Sequence, residues 1–428
     1  MSLPHLAFSI AILLVAVYLV IRRIDVRIVL FGAGLALASI AGSPWLVFDA
    51  FLRMMGEEKI IGPICSAMGF AFVLKYTGCD RELVKLLLRP IQHIRWLLVP
   101  GGCIVGFITN SAITSQTAAA AAVGPILLPV MMAAGWPAMV AAATVVIGCS
   151  AGGNLFNPGE PDIVTIHTAA NVPLQTVLDA VLIPELLGFS IAVAVYIVFS
   201  HRLRGAKASV TQAEIGKINI MKAVLPPLPA LMLLVLQPQF NLIPPMFELY
   251  PKGLPVSHVM IFCTMLVLLV ERKNISKIGN EFFEGLGYGF AKVISLILTA
   301  TCLISGMEAV GLVQAFVTLT ADAGFTAKFV SAIATCGLGV LSGSGTAPSV
   351  AFSQAILPHI ASNNPSGAVD LGVLGAIGAT FGRTMSPAAA VIAFTSVLSD
   401  VPVFTIVRQT AIPLLAGLAA AIIFMALK

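Results

Sequence analysis

The sequence predicts an all-helical integral membrane protein made of two inverted repeats. Of its 428 residues, 58% are hydrophobic and 10% are charged, whereas soluble domains carry about 25% charged residues. Apolar runs of spanning length recur along the whole chain, without the period-two alternation of a membrane β-barrel. Two polar regions that contain glycine and proline also match each other at a constant spacing, which is typical of internal repeats.

The apolar runs define the predicted spanning helices, because each is close to the ~17–25 residues that a helix needs to cross the hydrocarbon core. We expect about ten or eleven spanning helices plus two hairpins that enter and leave the membrane on one side. The first run precedes Arg22 and Arg23 without a small-residue cleavage site, so we interpret it as a spanning helix rather than a signal peptide. The clearest runs are His5–Ile21, Ile28–Ala41, Ile60–Lys75, Val181–Ser200, His258–Val270, Gly285–Ser305 and Thr410–Leu427.

The internal repeat has one constant offset, the spacing from Ser115 to Ser344, which we call the repeat offset. Windows that begin at these two serines align without a gap. The same offset relates the segment Gly153–Pro158 to Gly382–Pro387. Proline makes up 26 of the 428 residues, so several matched prolines at one offset are unexpected by chance. The match therefore indicates two related halves. Repeats built around polar segments that glycine and proline interrupt are typical of the substrate site of a secondary transporter, so transport is the predicted function.

Each half is expected to contain scaffold helices, an amphipathic helix along the interface, a re-entrant hairpin and a broken helix. The amphipathic helices are predicted at Arg81–Arg95 and Val310–Thr320. The polar linker His201–Lys222 joins the halves, so we assign the first repeat to residues 1–207 and the second to residues 208–428.

The distribution of basic residues orients the two repeats oppositely. Sixteen of the 24 lysines and arginines fall in four clusters, which the positive-inside rule assigns to the cytoplasmic side. One cluster, within Arg81–Arg95, precedes the first polar hairpin, so that hairpin is predicted to enter from the cytoplasm. The segment Glu308–Asp322 before the second hairpin has no lysine or arginine, so the second is predicted to enter from outside. Such an inversion brings the broken segments together near the midplane.

Two polar islands, Thr109–Thr117 and Ser342–Thr346, interrupt the apolar sequence at matched repeat positions. Each is followed by a helix of small residues, whose N-terminus offers free N–H donors and partial positive charge to an anion. The alternative is helix packing through serine, threonine and alanine, which is common in membranes. The candidate substrate-binding residues are Asn110, Ser111, Thr114, Ser115 and Thr117 in the first island and Ser342, Ser344 and Thr346 in the second.

The segments Ser150–Pro158 and Gly382–Pro387 are predicted to break two spanning helices. Their glycines and prolines free backbone carbonyls that can coordinate a cation. Arg383 has the strongest functional signal, because a guanidinium at membrane depth is costly and can bind a carboxylate in bidentate fashion. An internal salt bridge is its alternative role. The breaks add Asn157, Arg383, Thr384 and Ser386 to the candidate substrate-binding residues.

Coupling ions are expected, because an anion that enters against an inside-negative potential costs about 2.3 kcal/mol per charge per 100 mV. We expect no cofactor other than Na⁺ as the coupling ion. Two Na⁺ sites of neutral oxygens are predicted, from Ser111, Ser115 and Asn154 in the first half and Ser344, Thr346 and Ser386 in the second. The competing interpretation is proton coupling through Glu160 or Asp162. The alternative roles of these two residues are to neutralise Arg383 or to reach the membrane interface. Glu185 is interpreted as an interfacial or structurally paired residue near a helix end.

Two other functions compete with transport. Gly148–Gly152 matches the G-x-S-x-G motif, so Ser150 with His167 would make an intramembrane serine hydrolase. That motif needs a soluble strand–turn–helix, which an apolar span does not provide, and we therefore expect that the chain is not an enzyme. An anion channel is the other alternative. Nucleic acid is not an expected partner, because the sequence has no basic face with interleaved aromatic residues.

Three further motifs carry a family resemblance: Arg89-Pro90, Ser342–Thr346, and Gly-Arg-Thr-Met-Ser-Pro at Gly382–Pro387 followed by Ala388–Val391. They resemble the anaerobic C4-dicarboxylate carrier family (DcuC type) of the ion transporter superfamily. The resemblance implies two inverted halves, each with a re-entrant hairpin and a discontinuous helix, an elevator motion and a homodimer. It also implies a carrier of succinate, fumarate or a similar organic anion across the lipid bilayer of a bacterial inner membrane.

Overall fold

The structure is a computed structural model that describes residues 3–22, 24–202, 216–236, 242–250, 254–272, 274–313 and 324–428. All regular structure within these residues is helical. The first half provides ten helices: α1 (Leu3–Ile21), α2 (Val26–Ile40), α3 (Trp45–Met55), α4 (Glu58–Thr77), α5 (Cys79–Leu88), α6 (Leu98–Ala112), α7 (Gln116–Ala133), α8 (Ala138–Ser150), α9 (Pro161–Ala169) and α10 (Leu174–Arg202).

Residues 208–428 are also helical wherever the structure describes regular elements. Its described helices are α11 (Ile220–Val224), α12 (Leu228–Val235), α13 (Pro244–Leu249), α14 (Val256–Val270), α15 (Ile275–Gly289), α16 (Ser295–Ala309), α17 (Phe325–Ser342), α18 (Thr346–Ala361), α19 (Pro365–Thr384), α20 (Ala390–Ser399) and α21 (Val403–Leu427). A single π-helical turn, Phe290–Ile294, joins α15 to α16. The predicted amphipathic helix Val310–Thr320 and the linker His201–Lys222 lie partly outside the described residues.

Helix ends follow the chemistry of the residues found there. Gly78 ends α4 in the left-handed conformation with φ 71°, which glycine adopts without steric cost. The hydroxyl of Ser115 accepts a hydrogen bond from the backbone N–H of Ala118 and caps α7. Proline occupies the first turn of α9 and of α19, where the missing N–H costs nothing.

Several helices are long and apolar enough to cross a membrane, and the all-helical integral membrane class is thereby confirmed. Six such spans occur among the described residues: Glu58–Thr77, Gln116–Ala133, Ala138–Ala169, Leu174–His201, Ile275–Ala309 and Val403–Leu427. Four shorter apolar helices, Val26–Ile40, Val256–Val270, Thr326–Ser342 and Ala390–Ser399, accompany them. The total of ten or eleven spanning helices stays a prediction.

Helix bounds recur at the repeat offset found in the sequence. Helices α9 and α20 begin at Pro161 and Ala390, and α10 and α21 begin at Leu174 and Val403, so the starts of both pairs differ by the repeat offset. Helices α6, α7 and α8 start within two residues of the same offset from α17, α18 and α19.

Helix contacts between the two halves occur in pairs, and in each pair the corresponding helices of the two halves swap places. Helix α7 packs on α20 while α18 packs on α9, and α8 packs on α21 while α19 packs on α10. Outside this group, α4 packs on α14 while α16 packs on α2. Each of these contacts is matched by one in which the segments 1–207 and 208–428 have changed roles.

The apolar side chains form one large core and several smaller ones. The large core lies mainly among α6–α10 and α17–α21, where both predicted breaks occur. Smaller cores lie mainly among α2–α4, α12 and α14–α16, and one of them also includes Val164 of α9 and Val350 of α18. The broken helices therefore share one large core, and Val164 of α9 and Val350 of α18 pack against the flanking helices.

Candidate functional site

The site lies where the two breaks and the two hairpin turns meet. The first break, residues 151–160, separates α8 from α9 and contains the 3₁₀ turn Gly153–Phe156. The second break, residues 385–389, separates α19 from α20. It begins later than predicted, because Gly382, Arg383 and Thr384 form the last turn of α19. Gly382 does not end the helix. It allows α19 to pack closely on α17, because a Cβ there would overlap the backbone oxygen of Cys336 on α17.

Each break is tied to its own hairpin by an equivalent hydrogen bond. Asn157 Nδ2 donates to the backbone oxygen of Ser111 over 2.8 Å. Ser386 Oγ donates to the backbone oxygen of Val340 over 2.6 Å. The two donors are related by the repeat offset, and so are the two acceptors. Asn157 and Ser386 also accept from the backbone N–H groups of residues 159 and 388, so each closes the turn of its break.

The first hairpin turn is held by its own polar groups. Asn110 Oδ1 accepts from the backbone N–H of Asn154 over 3.0 Å, and Asn110 Nδ2 donates to the backbone oxygen of Ile113 over 3.1 Å. Ser111 Oγ donates back to α6, to the oxygen of Ile108. The Thr114 hydroxyl contacts Met68 Sδ at 3.6 Å. Thr117 lies half-buried in the first turn of α7, next to the capping hydroxyl of Ser115.

The second hairpin turn repeats this arrangement with fewer side-chain bonds. Ser344 Oγ accepts from the backbone N–H of Ala347 over 3.2 Å, as Ser115 does from Ala118. Ser342 Oγ donates to the backbone oxygen of Leu338 over 2.7 Å. Thr346 is the first residue of α18. The two matched N-termini thus each carry a serine hydroxyl beside free backbone donors.

Arg383 connects the second half to the first. Its side chain is 5% exposed, and Nη2 donates to the backbone oxygen of Ser150, at the end of α8, over 2.8 Å. The hydroxyl of Thr384 lies 2.8 Å from the same oxygen, 2.7 Å from the backbone oxygen of Thr380 and 2.9 Å from Ser150 Oγ, and its one hydrogen serves these acceptors in turn. Arg383 Nε is buried without a hydrogen-bond partner among the described residues. A Cβ on Gly345 would lie 2.7 Å from Nη1, so the guanidinium also adjoins the second hairpin turn.

Three buried acidic residues lie near enough to this guanidinium for their charges to act on it. Glu160 is 2% exposed, and Asp162 and Glu185 are each 0% exposed. The charges of all three act on Arg383, yet in the described part of the chain no carboxylate oxygen lies within 4.0 Å of an Arg383 nitrogen. The interpretation that Glu160 and Asp162 merely reach the interface is therefore wrong.

Hydrogen bonding leaves most of these carboxylate oxygens unpaired. Glu160 Oε1 accepts from Asn154 Nδ2 over 2.8 Å. The other Glu160 oxygen, both oxygens of Asp162 and both oxygens of Glu185 have no hydrogen-bond partner within the described chain. A buried charge without partners costs several kcal/mol in a protein. The cluster therefore needs protons, cations or a ligand to balance it.

Glu185 lies deeper in the protein than the sequence predicts. The sequence predicts a position near a helix end, but α10 begins at Leu174, which puts Glu185 about three turns inside the helix. It faces Gly152 in the first break, where φ is 92° and a Cβ would overlap the carboxylate. The apolar run begins only after the polar residues Gln175 and Asp179, so the sequence predicts a later start for the helix than Leu174.

A cavity of about 1060 Å³ borders the first break. It lies between α3, α4, α14 and α16 on one side and α9 and α18 on the other, and Pro158 of the break lines it. Its charged and titratable lining residues are Arg53, Glu57, Glu58, Lys59, His167, His258 and Glu308. The cavity thus lies between parts of the two groups of helices, which contact each other elsewhere, as α4 does α9.

The G-x-S-x-G segment does not form a nucleophile elbow. Gly148, Cys149 and Ser150 are the last residues of α8, so the motif is helical rather than a strand–turn–helix. Ser150 Oγ pairs with Thr384, and His167 Nδ1 pairs with the backbone oxygen of Val172. These contacts do not support the hydrolase alternative.

Sequence comparison identifies the family. A family model described as C4-dicarboxylate anaerobic carrier matches residues 52–428. The chain belongs to this family. The anaerobic C4-dicarboxylate transporter DcuC of Escherichia coli K12 is 25% identical over 374 residues, which cover 83% of this chain and 78% of that protein. The probable anaerobic C4-dicarboxylate transporter DcuC of Vibrio cholerae is 23% identical over 370 residues, 83% of this chain and 79% of that protein.

A shorter relative is more similar. A putative uncharacterized transporter of Haemophilus influenzae is 41% identical over 123 residues, which cover 29% of this chain and 85% of that protein. The relatives are transporters and not enzymes. The C4-dicarboxylate carrier family implies a multi-pass membrane protein with a small organic anion as its substrate, as the motifs around Arg383 predict.

Proposed function

We propose that this protein is a secondary active carrier of a C4-dicarboxylate such as succinate or fumarate across a bacterial inner membrane. The single observation that carries the proposal is Arg383, a buried guanidinium with one unpaired N–H in the described chain, at the junction of both breaks and the second hairpin turn. A desolvated arginine is suited to a carboxylate because its planar fork can bind both oxygens. The names of the relatives from Escherichia coli and Vibrio cholerae support the substrate class.

The two ends of a dicarboxylate have different partners in this proposal. One carboxylate binds Arg383, the second hairpin turn (Ser342, Ser344 and Thr346) and the neighbouring Thr384 and Ser386. The other binds neutral donors of the first half, namely the N-terminus of α7 and Asn110, Ser111, Thr114, Ser115, Thr117 and Asn157. Free N–H groups at a helix N-terminus make a ready anion site. The substrate is therefore held between the halves by one cation and many neutral donors.

We infer that the halves are inverted and that both hairpins are re-entrant. One arm of each hairpin is short: helices α6 and α18 have 15 and 16 residues, so each is about 23 Å long, shorter than the ~30 Å hydrocarbon core. The other arms, α7 and α17, have 18 residues each. The exchanged packing of the halves supports a two-fold relation. The basic residues before the first hairpin and their absence before the second support an axis in the membrane plane.

Single cysteines at matched positions test the inversion. Ala134 follows the first hairpin and Asn363 the second, and the repeat offset relates them. We expect Ala134→Cys to react with an impermeant maleimide from the cytoplasmic side and Asn363→Cys from outside. The seven native cysteines are buried, which keeps the background low. Labelling of both positions from one side would contradict the inverted arrangement.

The division of the apolar side chains into one large core and several smaller ones supports an elevator motion. In this proposal α6–α10 and α17–α21 move as one body against α2–α4 and α14–α16, and the cavity of about 1060 Å³ between them is the route from one side to the site. The flanking helices would form the interface of a homodimer. Such a motion carries the substrate with the breaks, whereas a channel would need a continuous pore.

For coupling we propose Na⁺ at the two hairpin turns, with Ser111, Ser115 and Asn154 in one site and Ser344, Thr346 and Ser386 in the other. Neutral oxygens suit a releasable Na⁺ site, and the capping hydroxyls of Ser115 and Ser344 occupy equivalent places. Proton coupling through Glu160 or Asp162 is the second candidate, which the unpaired oxygens of both residues favour.

Counterflow in proteoliposomes tests the proposed function. We expect external labelled succinate to exchange with internal succinate, because a carrier with an alternating site must exchange, and we expect an inward Na⁺ gradient at fixed pH to drive accumulation. Absence of exchange with every acid in a C4-dicarboxylate panel would contradict the carrier proposal.

Substitutions in the same vesicles separate the two coupling ions. If accumulation ignores Na⁺, follows a pH gradient and loses that dependence in Asp162→Asn, the sodium proposal is wrong. Asp179→Asn on the outer face of α10 is the matched control and should behave as wild type.

A further inference from the structure

Buried oxygen atoms without partners collect where α9 packs on α18. Asp162 of α9 and Ser349 of α18 are each 0% exposed, and their side chains adjoin each other. Glu160, at the end of the first break, is 2% exposed and also adjoins Asp162. Both carboxylate oxygens of Asp162, the hydroxyl of Ser349 and Oε2 of Glu160 have no hydrogen bond of good geometry to any described residue. Four buried oxygen atoms from two helices and a break therefore lie together.

The side chain of Asn154 adds a fifth oxygen atom. Its Nδ2 donates to Glu160 Oε1 over 2.8 Å, so the amide lies against the Glu160 carboxylate. The amide oxygen, Oδ1, is buried and has no hydrogen-bond partner among the described residues. Asn110 holds the Asn154 backbone N–H over 3.0 Å and so fixes this position in the break. We call Asn154, Glu160, Asp162 and Ser349 the α9–α18 cluster.

The matched helix contact elsewhere in the protein is apolar. Helix α7 packs on α20 as α18 packs on α9, and the repeat offset relates Asp162 to Val391 and Ser349 to Ala120. Val391 is 2% exposed and Ala120 is 0% exposed. A contact of this kind therefore packs without polar side chains. Because a buried charge without partners is costly, the polar groups of the α9–α18 cluster indicate a ligand rather than a packing role.

We propose that the α9–α18 cluster binds one Na⁺, at a site additional to the two proposed at the hairpin turns. Carboxylate, amide and hydroxyl oxygens are the ligands of hard cations. Among the described residues, no group of three or more His, Cys, Asp or Glu side chains could hold a metal ion, which disfavours a transition metal. The site differs from the hairpin-turn sites by its carboxylates and by Ser349, and it shares Asn154 with the first of them.

The choice of a monovalent ion rests on the proposed function, because a carrier must release its coupling ion in every cycle. The ligands come from both halves: Glu160 and Asp162 lie in the first, and Ser349 lies on the second arm of the second hairpin. A bound ion would therefore join the second hairpin to the first break, and it should stabilise the folded protein in proportion to its occupancy.

Na⁺ binding to the purified protein tests the site without substrate. Labelled Na⁺ is dialysed to equilibrium against the protein in detergent, at fixed pH and ionic strength, with choline as the replacing cation. We expect Asp162→Asn to bind one Na⁺ fewer than the wild type. Ser349→Ala should weaken the binding of that ion about tenfold, if a neutral ligand contributes about as much as a hydrogen bond to a charged group. Asp179→Asn and Ser362→Ala, both at exposed positions, are the matched controls and should bind as the wild type does.

A double variant keeps the test independent of misfolding. Asp162→Val combined with Ser349→Ala reproduces the residues of the matched contact between α7 and α20, so this protein should fold and still lack the ion. We expect the thermal midpoint of the wild type to rise when Na⁺ replaces choline, and that of the double variant to rise less.

Equal numbers of bound Na⁺ in the wild type and Asp162→Asn would overturn the inference. A wild-type thermal midpoint that is the same in Na⁺ and choline would also overturn it, since protons alone would then balance the acids. Binding of Mg²⁺ or Ca²⁺ in preference to Na⁺ would overturn the assignment of the ion. None of these measurements uses a substrate, so a protein that binds this Na⁺ but exchanges no dicarboxylate would overturn the proposed function alone.

Discussion

Replacing Arg383 by alanine is expected to abolish dicarboxylate transport while leaving the protein folded. A hydrogen-bonded contact to a charged group contributes about 1.5–3 kcal/mol, which corresponds to roughly ten- to a hundred-fold in affinity. The fold should survive because the hydroxyl of Thr384 lies within hydrogen-bond distance of the backbone oxygen of Ser150 and can donate to that acceptor once the guanidinium is gone. The surrounding carboxylates can take up protons once the positive charge is gone.

The lysine variant tests geometry apart from charge. Arg383→Lys keeps a positive charge but cannot reproduce the planar fork, so we expect it to fail nearly as badly as alanine. Arg408→Ala, on an outer position of α21, is the matched control for loss of an arginine. Succinate counterflow measures transport, and size-exclusion chromatography in detergent measures folding. Wild-type uptake by a folded Arg383→Ala protein would return Arg383 to a structural role.

The breaks and hairpin turns were predictable because polar, glycine- and proline-containing segments in an apolar chain are rare and here occur twice. The matched residues Ser115 and Ser344 cap matched helices, and Asn157 and Ser386 make equivalent hydrogen bonds. In each case a local rule, helix capping or turn closure, acts on neighbouring residues. These positions can therefore be predicted with little tertiary information.

Contacts between the halves could not be predicted from the sequence. Ser150 and Arg383 are brought together by packing of α8, α10, α19 and α21, and their separation of 233 residues carries no local signal. The depth of Glu185 was missed for a related reason, since it depends on where α10 begins, and the environment of Glu185 depends on Gly152. The later start of the second break is a third case, because Gly382 serves helix packing rather than termination.

Gly153 and Gly382 allow the chain at or next to each break to pack closely against its hairpin, because glycine has no side chain. A Cβ at Gly153 would overlap the backbone oxygen of Phe107, and one at Gly382 would overlap that of Cys336. Phe107 and Cys336 are themselves related by the repeat offset, so the same contact recurs in both halves. A backbone oxygen within a helix cannot move aside as a side chain can. A larger residue must therefore separate α19 from α17 and displace the adjoining Arg383.

We therefore expect Gly382→Ala to lose much of the folded protein and all transport. Overpacking costs about 1–3 kcal/mol in ordinary cores, and a backbone obstacle places this site at or above the upper end. Gly337→Ala is the matched control: it lies on α17 itself, and a Cβ there meets nothing within 4 Å. That variant should be neutral or more stable by about 0.5–1 kcal/mol, because alanine favours the helix. The thermal midpoint and the monodisperse fraction in detergent measure both, and equal stability of Gly382→Ala and wild type would contradict the close packing that positions Arg383.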